Sequence, residues 1–498
     1  MDDLPPIQNL RILSDPCADI SLARSQVVEY KKELAALTAR IAVLKTSIAE
    51  TESIIFSINR LPTEILVLVF LYTLWAPKRP VRATTESPWL VSQVCRHWRE
   101  VALFSQRLWS FPTIWQVPIQ SIPQFNLHLS RSGNAPLHPF IHGAPREVSR
   151  FLRPLIEVSD RWVTVILAFN WIPLQTHIAP VKGNVGALEE LQIEGIWNRE
   201  GTALVHGQRL DVFANAPRLR KLSVKNVCEP VVSLVLPWHQ LTHYRAIANA
   251  HEHLGVLNRC PNLVSADLIF PNVAFLIAPA ADAPILVHLP QLCHLHIEDA
   301  ELLRVMSLPS LGDIVVQTSG PDNDALLPLL GLIRRDHPPL ASISLVNSTL
   351  VPATLVSILE ENAMLDTLRI QVNRGDTAAV DQLIGRLTID APHVGAAGCF
   401  APNLVTLELS GRGSFNQGLF VAMIKSRRAA IQADSKCHCR AMRRIVVRTT
   451  PKKTLSRETV KDLRALSQTG LCVSVSTSFL EEGPFEPHYW ATNTLVHY

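Results

Sequence analysis

The chain has 498 residues, 47% of them apolar and 18% charged, which excludes a mainly disordered chain and leaves ample material for a large core. Its length predicts about two to four domains or one long repeat array. The 35 prolines and 20 glycines show no Gly period, which excludes a collagen-like fold, and the formal net charge of +4 is too small to imply a nucleic-acid partner by itself.

Residues 1–19 read as a loose start, without the basic and apolar stretches of a secretory leader. Residues 20–57 read as one long helix that carries a candidate coiled-coil seam. Apolar residues recur three and four apart at Val27, Tyr30, Leu34, Leu37, Ile41, Leu44, Ile48 and Ile55, and Thr51 alone breaks the series. Neither Gly nor Pro falls between Asp19 and Arg60, and the Ala content favours helix. This heptad spacing predicts either self-association through residues 27–55 or a helix folded back on its own chain.

Residues 58–116 read as a small helical unit. Pro62 suits the first position of a helix, and Glu64 suits its first turn. Leu66, Val69 and Phe70 are expected on one face. The apolar run from Ile65 to Ala76 is too short for the ~20 residues of a bilayer span, so no membrane partner is expected. A loop from Pro77 to Pro88 precedes a second helix, Trp89 to Ala102, with an expected apolar face of Leu90, Val91, Val94, Cys95, Trp98, Val101 and Ala102. Leu108-Trp109-Ser110 closes the unit.

Three separated pieces, Leu61 to Leu66 (LPTEIL), Val94 to Ala102 (VCRHWREVA) and Leu108 to Ser110 (LWS), occur in an order that resembles the F-box. The resemblance implies docking onto a Skp-type adaptor, and through it onto a cullin–RING ubiquitin ligase. It assigns adaptor contacts to Leu61, Pro62, Glu64, Ile65, Leu66, Phe70, Val94, Cys95 and Trp98. The insert with Lys78, Arg79 and Arg82 resembles that of the F-box families expanded in mushroom-forming fungi. Those proteins also tend to carry a preceding coiled helix and a downstream segment like Leu127 to Leu137, and both occur here. The implied function is substrate recognition for the ligase, with catalysis left to other subunits.

Residues 117–480 carry a recurring phrase in which apolar residues occupy the first, fourth and sixth positions. Its anchors are Leu188, Leu219, Leu241, Leu263, Leu292, Leu311, Leu340, Leu365, Leu404 and Met442, at intervals of 19 to 39 residues, and Trp162 to Leu167 is a plausible earlier copy. The fourth and sixth residues are apolar or aromatic in every copy, and the residue between them is polar in eight of ten. That is the period of a half-buried strand. The pattern resembles leucine-rich repeats, although regular arrays keep roughly 20–29 residues per unit. The expected fold class is therefore α/β, a helical N-terminus followed by an irregular leucine-rich-repeat solenoid with a parallel sheet. Outward strand positions would form the target-binding face, with Arg245, Asp267, His294, His296, Arg369, Glu408, Arg444 and Arg448 as its candidates. The tail, residues 481–498, contains Phe485, Tyr489 and Trp490, and its packing is left open.

No catalytic constellation emerges. The chain has no Gly-rich phosphate loop ending in Lys-Ser or Lys-Thr and no G-x-S-x-G elbow, so neither an enzyme nor a cofactor is expected. Cys437-His438-Cys439 lacks a second ligand pair, so no metal is expected there. His288, Cys293, His294 and His296 form a second cluster, expected to be a polar strand face because no carboxylate or third imidazole falls in register. The nine scattered cysteines fit a reducing compartment, hence cytoplasm or nucleus. Between residues 425 and 461, twelve Lys or Arg face only Asp434 and Glu458. This basic segment fits a solvated surface first and an acidic partner next. It lacks the aromatic residues of a single-strand nucleic-acid binder. Two alternative functions stay open, a non-degradative interaction scaffold and a nucleic-acid-associated regulator using this segment.

Overall fold

The computed structural model describes residues 16–55, 61–74, 88–115, 121–143, 145–168, 177–195, 209–225, 231–271, 286–317, 326–346, 350–372, 377–389, 400–411, 414–432, 440–449 and 455–476. The C-terminal tail, Cys437-His438-Cys439 and most of the Pro77–Pro88 loop lie outside these residues.

Helix α1, Pro16–Ile55, is one uninterrupted helix of 40 residues, about 60 Å long at 1.5 Å per residue. Every residue from Ile20 to Thr51 is exposed. The seam from Val27 to Ile48 lies 48 to 66% open, so it is not covered by any of the described residues. No helix among the described residues is long and apolar enough to cross a membrane.

The helical unit holds α2, Thr63–Leu74, α3, Val91–Val94, α4, Arg96–Phe104, and a tight turn at Gln106–Trp109. The expected single helix from Trp89 to Ala102 breaks at Cys95. Cys95 is extended (φ −154°, ψ 174°), and its Sγ accepts the Trp98 N–H at 3.4 Å. The thiol thus caps α4 as a hydroxyl or carboxylate more often does. The break leaves the expected apolar face split, with Val91, Val101 and Ala102 buried and Leu90, Val94 and Cys95 exposed. Leu66, Phe70, Val91, Val101, Ala102, Leu108 and Trp109 form a small core of their own. Trp109 is fully enclosed, and its Nε1–H donates to the Ala102 carbonyl at 2.8 Å, which satisfies the buried donor.

The rest of the described chain builds a parallel sheet. Its strands are β1 Thr113–Trp115, β2 Phe140–His142, β3 Thr164–Ala168, β4 Glu190–Glu194, β5 Lys221–Lys225, β6 His243–Ile247 and β7 Ser265–Ile269. A two-residue ladder of β8 Val287–His288 and β10 Met306–Ser307 brackets β9 His294–Ile297. The sheet continues with β11 Asp313–Gln317, β12 Ser342–Val346, β13 Thr367–Val372, β14 Thr406–Gly411, β15 Arg444–Thr449 and β16 Cys472–Ser476. Fourteen described strands pair in chain order, with β8 and β10 set apart. All ten copies of the phrase lie on strands and align position for position, so Leu191, Leu222, Tyr244, Ala266, Leu295, Ile314, Ile343, Leu368, Leu407 and Ile445 form one buried row.

Three strands escape the phrase for local reasons. In register, β2 has Pro139 and β1 has Pro112 where the fourth apolar residue should stand, and buried Leu137, which pairs with Trp162, keeps the first position of β2 one residue out of step. Strand β16 has Gly470 in place of its anchor, at φ +89°, and the adjacent Leu471 is buried instead. The sheet begins at Thr113, inside the segment read as part of the helical unit.

The described parts of the connections in the N-terminal half include α5, Ile122–Arg131, α6, Pro145–Ile156, and α7, Ala250–Leu257, with tight turns between them. Those in the C-terminal half carry α8 Leu327–Asp336, α9 Pro352–Glu361, α10 Thr377–Leu387, α11 Gln417–Gln432 and α12 Arg457–Ser467, each packed on the next. A continuous apolar layer runs beneath the sheet from Ile114 to Leu471. Each fully buried Leu or Ile in it contributes roughly 2 kcal/mol.

The segment Leu127 to Leu137 joins the helical unit to the sheet. The Arg131 guanidinium lies 4.8 Å above the Trp89 ring and 4.5 Å above the Trp109 ring, which meet edge to face at 5.0 Å. Ser132 accepts from Arg161 Nη2 at 2.7 Å, and Arg161 Nε donates to the Ala135 carbonyl at 3.1 Å. Gly133 ends the turn at φ +50°, a left-handed conformation that favours glycine.

Candidate functional site

Helix α2 is apolar nearly all round, and its two sides differ in fate. Leu66 and Phe70 are fully buried, and Phe70 meets the Trp98 ring at 4.8 Å. On the opposite side Ile65, Leu68, Val69 and Tyr72 follow the i, i+3, i+4, i+7 spacing of one helical stripe. That stripe is 37 to 69% exposed. A helix apolar on both faces implies a second layer to cover the outer one. Pro62 and Glu64 are exposed at the start of the same helix, and Leu61 is half-buried. Val94 and Cys95 are exposed, and Phe104 projects at the end of α4 with 86% of its surface open.

The sequence-derived contact set is therefore divided. Leu61, Pro62, Glu64, Ile65, Val94 and Cys95 reach the surface, and Trp98 reaches it in part. Leu66 and Phe70 do not, because their side chains build the unit's own core. Val69, expected on the same face as Leu66 and Phe70, lies instead on the exposed stripe. Leu68, Tyr72 and Phe104 were not singled out from the sequence. The unbroken apolar run around α2 was the available signal, since one buried face uses only part of it.

The second candidate site is the sheet face opposite the helices. Its central row reads Gln192, Ser223, Arg245, Asp267, His296, Val315, Ser344, Arg369, Glu408 and Val446, each beside the next. Parallel neighbours lie only about 4.8 Å apart, so large side chains close over small ones. Asp267, His296 and Glu408 are consequently buried, which corrects their assignment as target contacts.

These buried groups are paired within the face. Asp267 accepts from His296 Nδ1 at 3.0 Å and faces Arg245 Nε at 3.5 Å. His294 Nδ1 lies 2.8 Å from Asp313, and that hydrogen bond holds the Asp313 carboxyl below the usual carboxylate range. Two carboxylates thus fall in register beside His294 and His296, contrary to the sequence reading. Burial, aided by Lys221 and His294, pushes the nearby His243 imidazole down to about 4. His288 lies apart on the β8 ladder, and Cys293 directs its thiol to the Gln291 carbonyl at 3.4 Å. Among the described residues, no three His, Cys, Asp or Glu side chains converge as metal ligands would.

A second network spans β12 to β15. Glu408 faces Arg369 at 3.6 Å and Arg448 at 3.3 Å. Arg369 Nη1 also donates to Ser342 Oγ at 3.1 Å and to Ser344 Oγ at 3.4 Å. Arg369 and Arg448 keep 39% and 45% of their side chains exposed, against 7% for Glu408. Arg444 is exposed on the same face.

The basic segment divides as well. Arg427 is fully buried and donates to the carbonyls of Leu387, Phe400 and Ala401 at 3.3, 3.1 and 2.6 Å. Arg428 donates to Met442 and Thr469 carbonyls, and Lys425 pairs with Asp462 at 3.3 Å. These three residues serve the packing of α11 and do not form a free basic surface. Compared with protein-family models and with curated proteins, the chain matches none.

Proposed function

We propose that this chain is a substrate-recognition subunit of a Skp–cullin–F-box type ubiquitin ligase. In this reading residues 58–110 form an F-box that docks on the adaptor. The sheet and its helices form a degenerate leucine-rich-repeat solenoid that holds the target. The observation that carries it is the exposed stripe Ile65, Leu68, Val69 and Tyr72, on a helix already buried through Leu66 and Phe70 and introduced by exposed Pro62 and Glu64. The three ordered sequence pieces supply the identity of the partner. The unit would act by position, bringing target lysines near a ubiquitin-charged partner.

Co-expression with a Skp-type adaptor tests this. The intact chain should co-purify with the adaptor, and Ile65→Asp should lose it while keeping the melting temperature, because Ile65 lies outside the core. A folded intact chain that never retains the adaptor ends the proposal. A second reading, the non-degradative scaffold, is favoured by the exposed α1 seam and would survive that result.

A further inference from the structure

The open-face rows of β13, β14 and β15 hold Thr367, Arg369, Gln371, Thr406, Glu408, Ser410, Arg444, Val446 and Arg448. Three of these are cationic and one is anionic. The anion, Glu408, is buried between Arg369 and Arg448, so the outer surface of the patch is positive. The mid-sheet network is different, because Arg245 is matched by Asp267 and the second carboxylate, Asp313, is engaged by His294. At the far end Lys221 and Lys225 stand in register beside Glu190 and Glu194, so among the described strands the excess positive charge lies on β13 to β15. Around it, Ser342, Ser344, Thr367, Thr406, Ser410, Ser474 and Ser476 supply hydroxyls on the same rows.

We propose that this patch binds an acidic peptide segment, taking its carboxylates on Arg369, Arg444 and Arg448. The inference rests on reading this sheet face as the target-holding surface, and it is independent of adaptor docking. Spacing supports it. Strands β13 and β15 are two intervals apart, roughly 10 Å, and Arg444 and Arg448 are four residues apart on one strand, roughly 13 Å. Carboxylates three or four residues apart on an extended peptide span about the same distances. Guanidinium groups match carboxylates through paired N–H donors. Nucleic acid fits the patch less well, because the open-face positions of β12 to β16 contain no Phe, Tyr or Trp on which a base would stack.

Glu408 makes the proposal distinctive. Its carboxylate competes with an incoming one for the same two guanidinium groups. Glu408→Gln should therefore tighten binding of an acidic peptide, whereas a purely structural ion-pair network would gain nothing from that change.

The test is fluorescence anisotropy of the full chain with a short dye-labelled Glu-rich peptide, beside its Gln-rich counterpart and a single-stranded oligonucleotide. The Glu-rich peptide should bind, and should bind more weakly as salt is raised. Arg369→Gln with Arg448→Gln should weaken it by about tenfold or more, as loss of charged contacts at an interface does. Arg444→Gln, at an exposed position, should weaken it without altering the fold, so the result does not hang on the double variant. Glu408→Gln should strengthen it. No binding by the folded chain, binding indifferent to all these substitutions, or preferential capture of the oligonucleotide through the same arginines would each overturn the proposal. Adaptor co-purification is read separately, so failure of peptide binding leaves the docking result standing and the reverse also holds.

Discussion

At the scale of single residues, the open sheet face and the layer beneath it treat polar groups differently. Above, carboxylates are paired with cations. Beneath, His253 on α7 is buried without an ionic partner. Its Nε2 lies 3.1 Å from the Ile269 carbonyl and its Nδ1 3.2 Å from the Tyr244 hydroxyl. A carbonyl only accepts, so Nε2 carries the proton and Tyr244 donates to Nδ1. Burial pushes the His253 imidazole from 6.5 down to about 4, against the raising effect of the Ile269 carbonyl. The unfolded chain then takes up a proton near pH 6.5 that the folded chain refuses until about pH 4. Stability from this residue is complete above pH 6.5 and falls as pH drops through that window, by roughly 2 kcal/mol at pH 5. His253→Gln removes the titration. Its melting temperature should therefore fall less between pH 7 and pH 5 than that of the parent chain, and equal falls would refute the assignment.

Elements were legible where one period governed them. The strands from β4 to β15 in the main sheet show alternation because one face is buried against helices and the other is not. The break at Cys95 was hidden because a thiol cap does not announce itself as Ser or Asp would. The pairing of Asp267 with His296 was hidden for another reason. They lie 29 residues apart, and only the register of two parallel strands makes them neighbours. The face of α2 was misjudged because a helix apolar all round gives no phase to read.

Helix α1 shows the opposite case, a clear period without a described partner. Its seam places Val27, Leu34, Ile41 and Ile48 at one core position and Tyr30, Leu37, Leu44 and Thr51 at the other. Beta-branched residues at three of the four first positions, and Leu at the two central second positions, favour a parallel two-stranded coiled coil. The intact chain should thus have twice its monomer mass by light scattering, and Leu37→Asp with Leu44→Asp should return it to monomer. Both substitutions fall on an exposed helix, so the rest of the fold should be unaffected. A parent chain that stays monomeric at high concentration would reject the dimer.

On the scale of the whole molecule, the described chain holds two separate cores. One is centred on Leu66, Phe70 and Trp109, and the other runs beneath the sheet from Ile114 to Leu471. They meet through Arg131 and the two tryptophans Trp89 and Trp109. Sheet neighbours support one another only locally, since each strand touches the two beside it. A cavity in the small core should accordingly be felt by the helical unit and not by the array. Phe70→Ala removes a fully buried ring and should cost about 3–5 kcal/mol. Hydrogen exchange should then accelerate in amides of residues 63–74 and 88–109, while amides of β6 to β14 keep their protection. Equal acceleration in both regions would mean that the junction couples the two cores into one cooperative unit. The proposed docking unit and the proposed target-holding face would then share a single folding equilibrium.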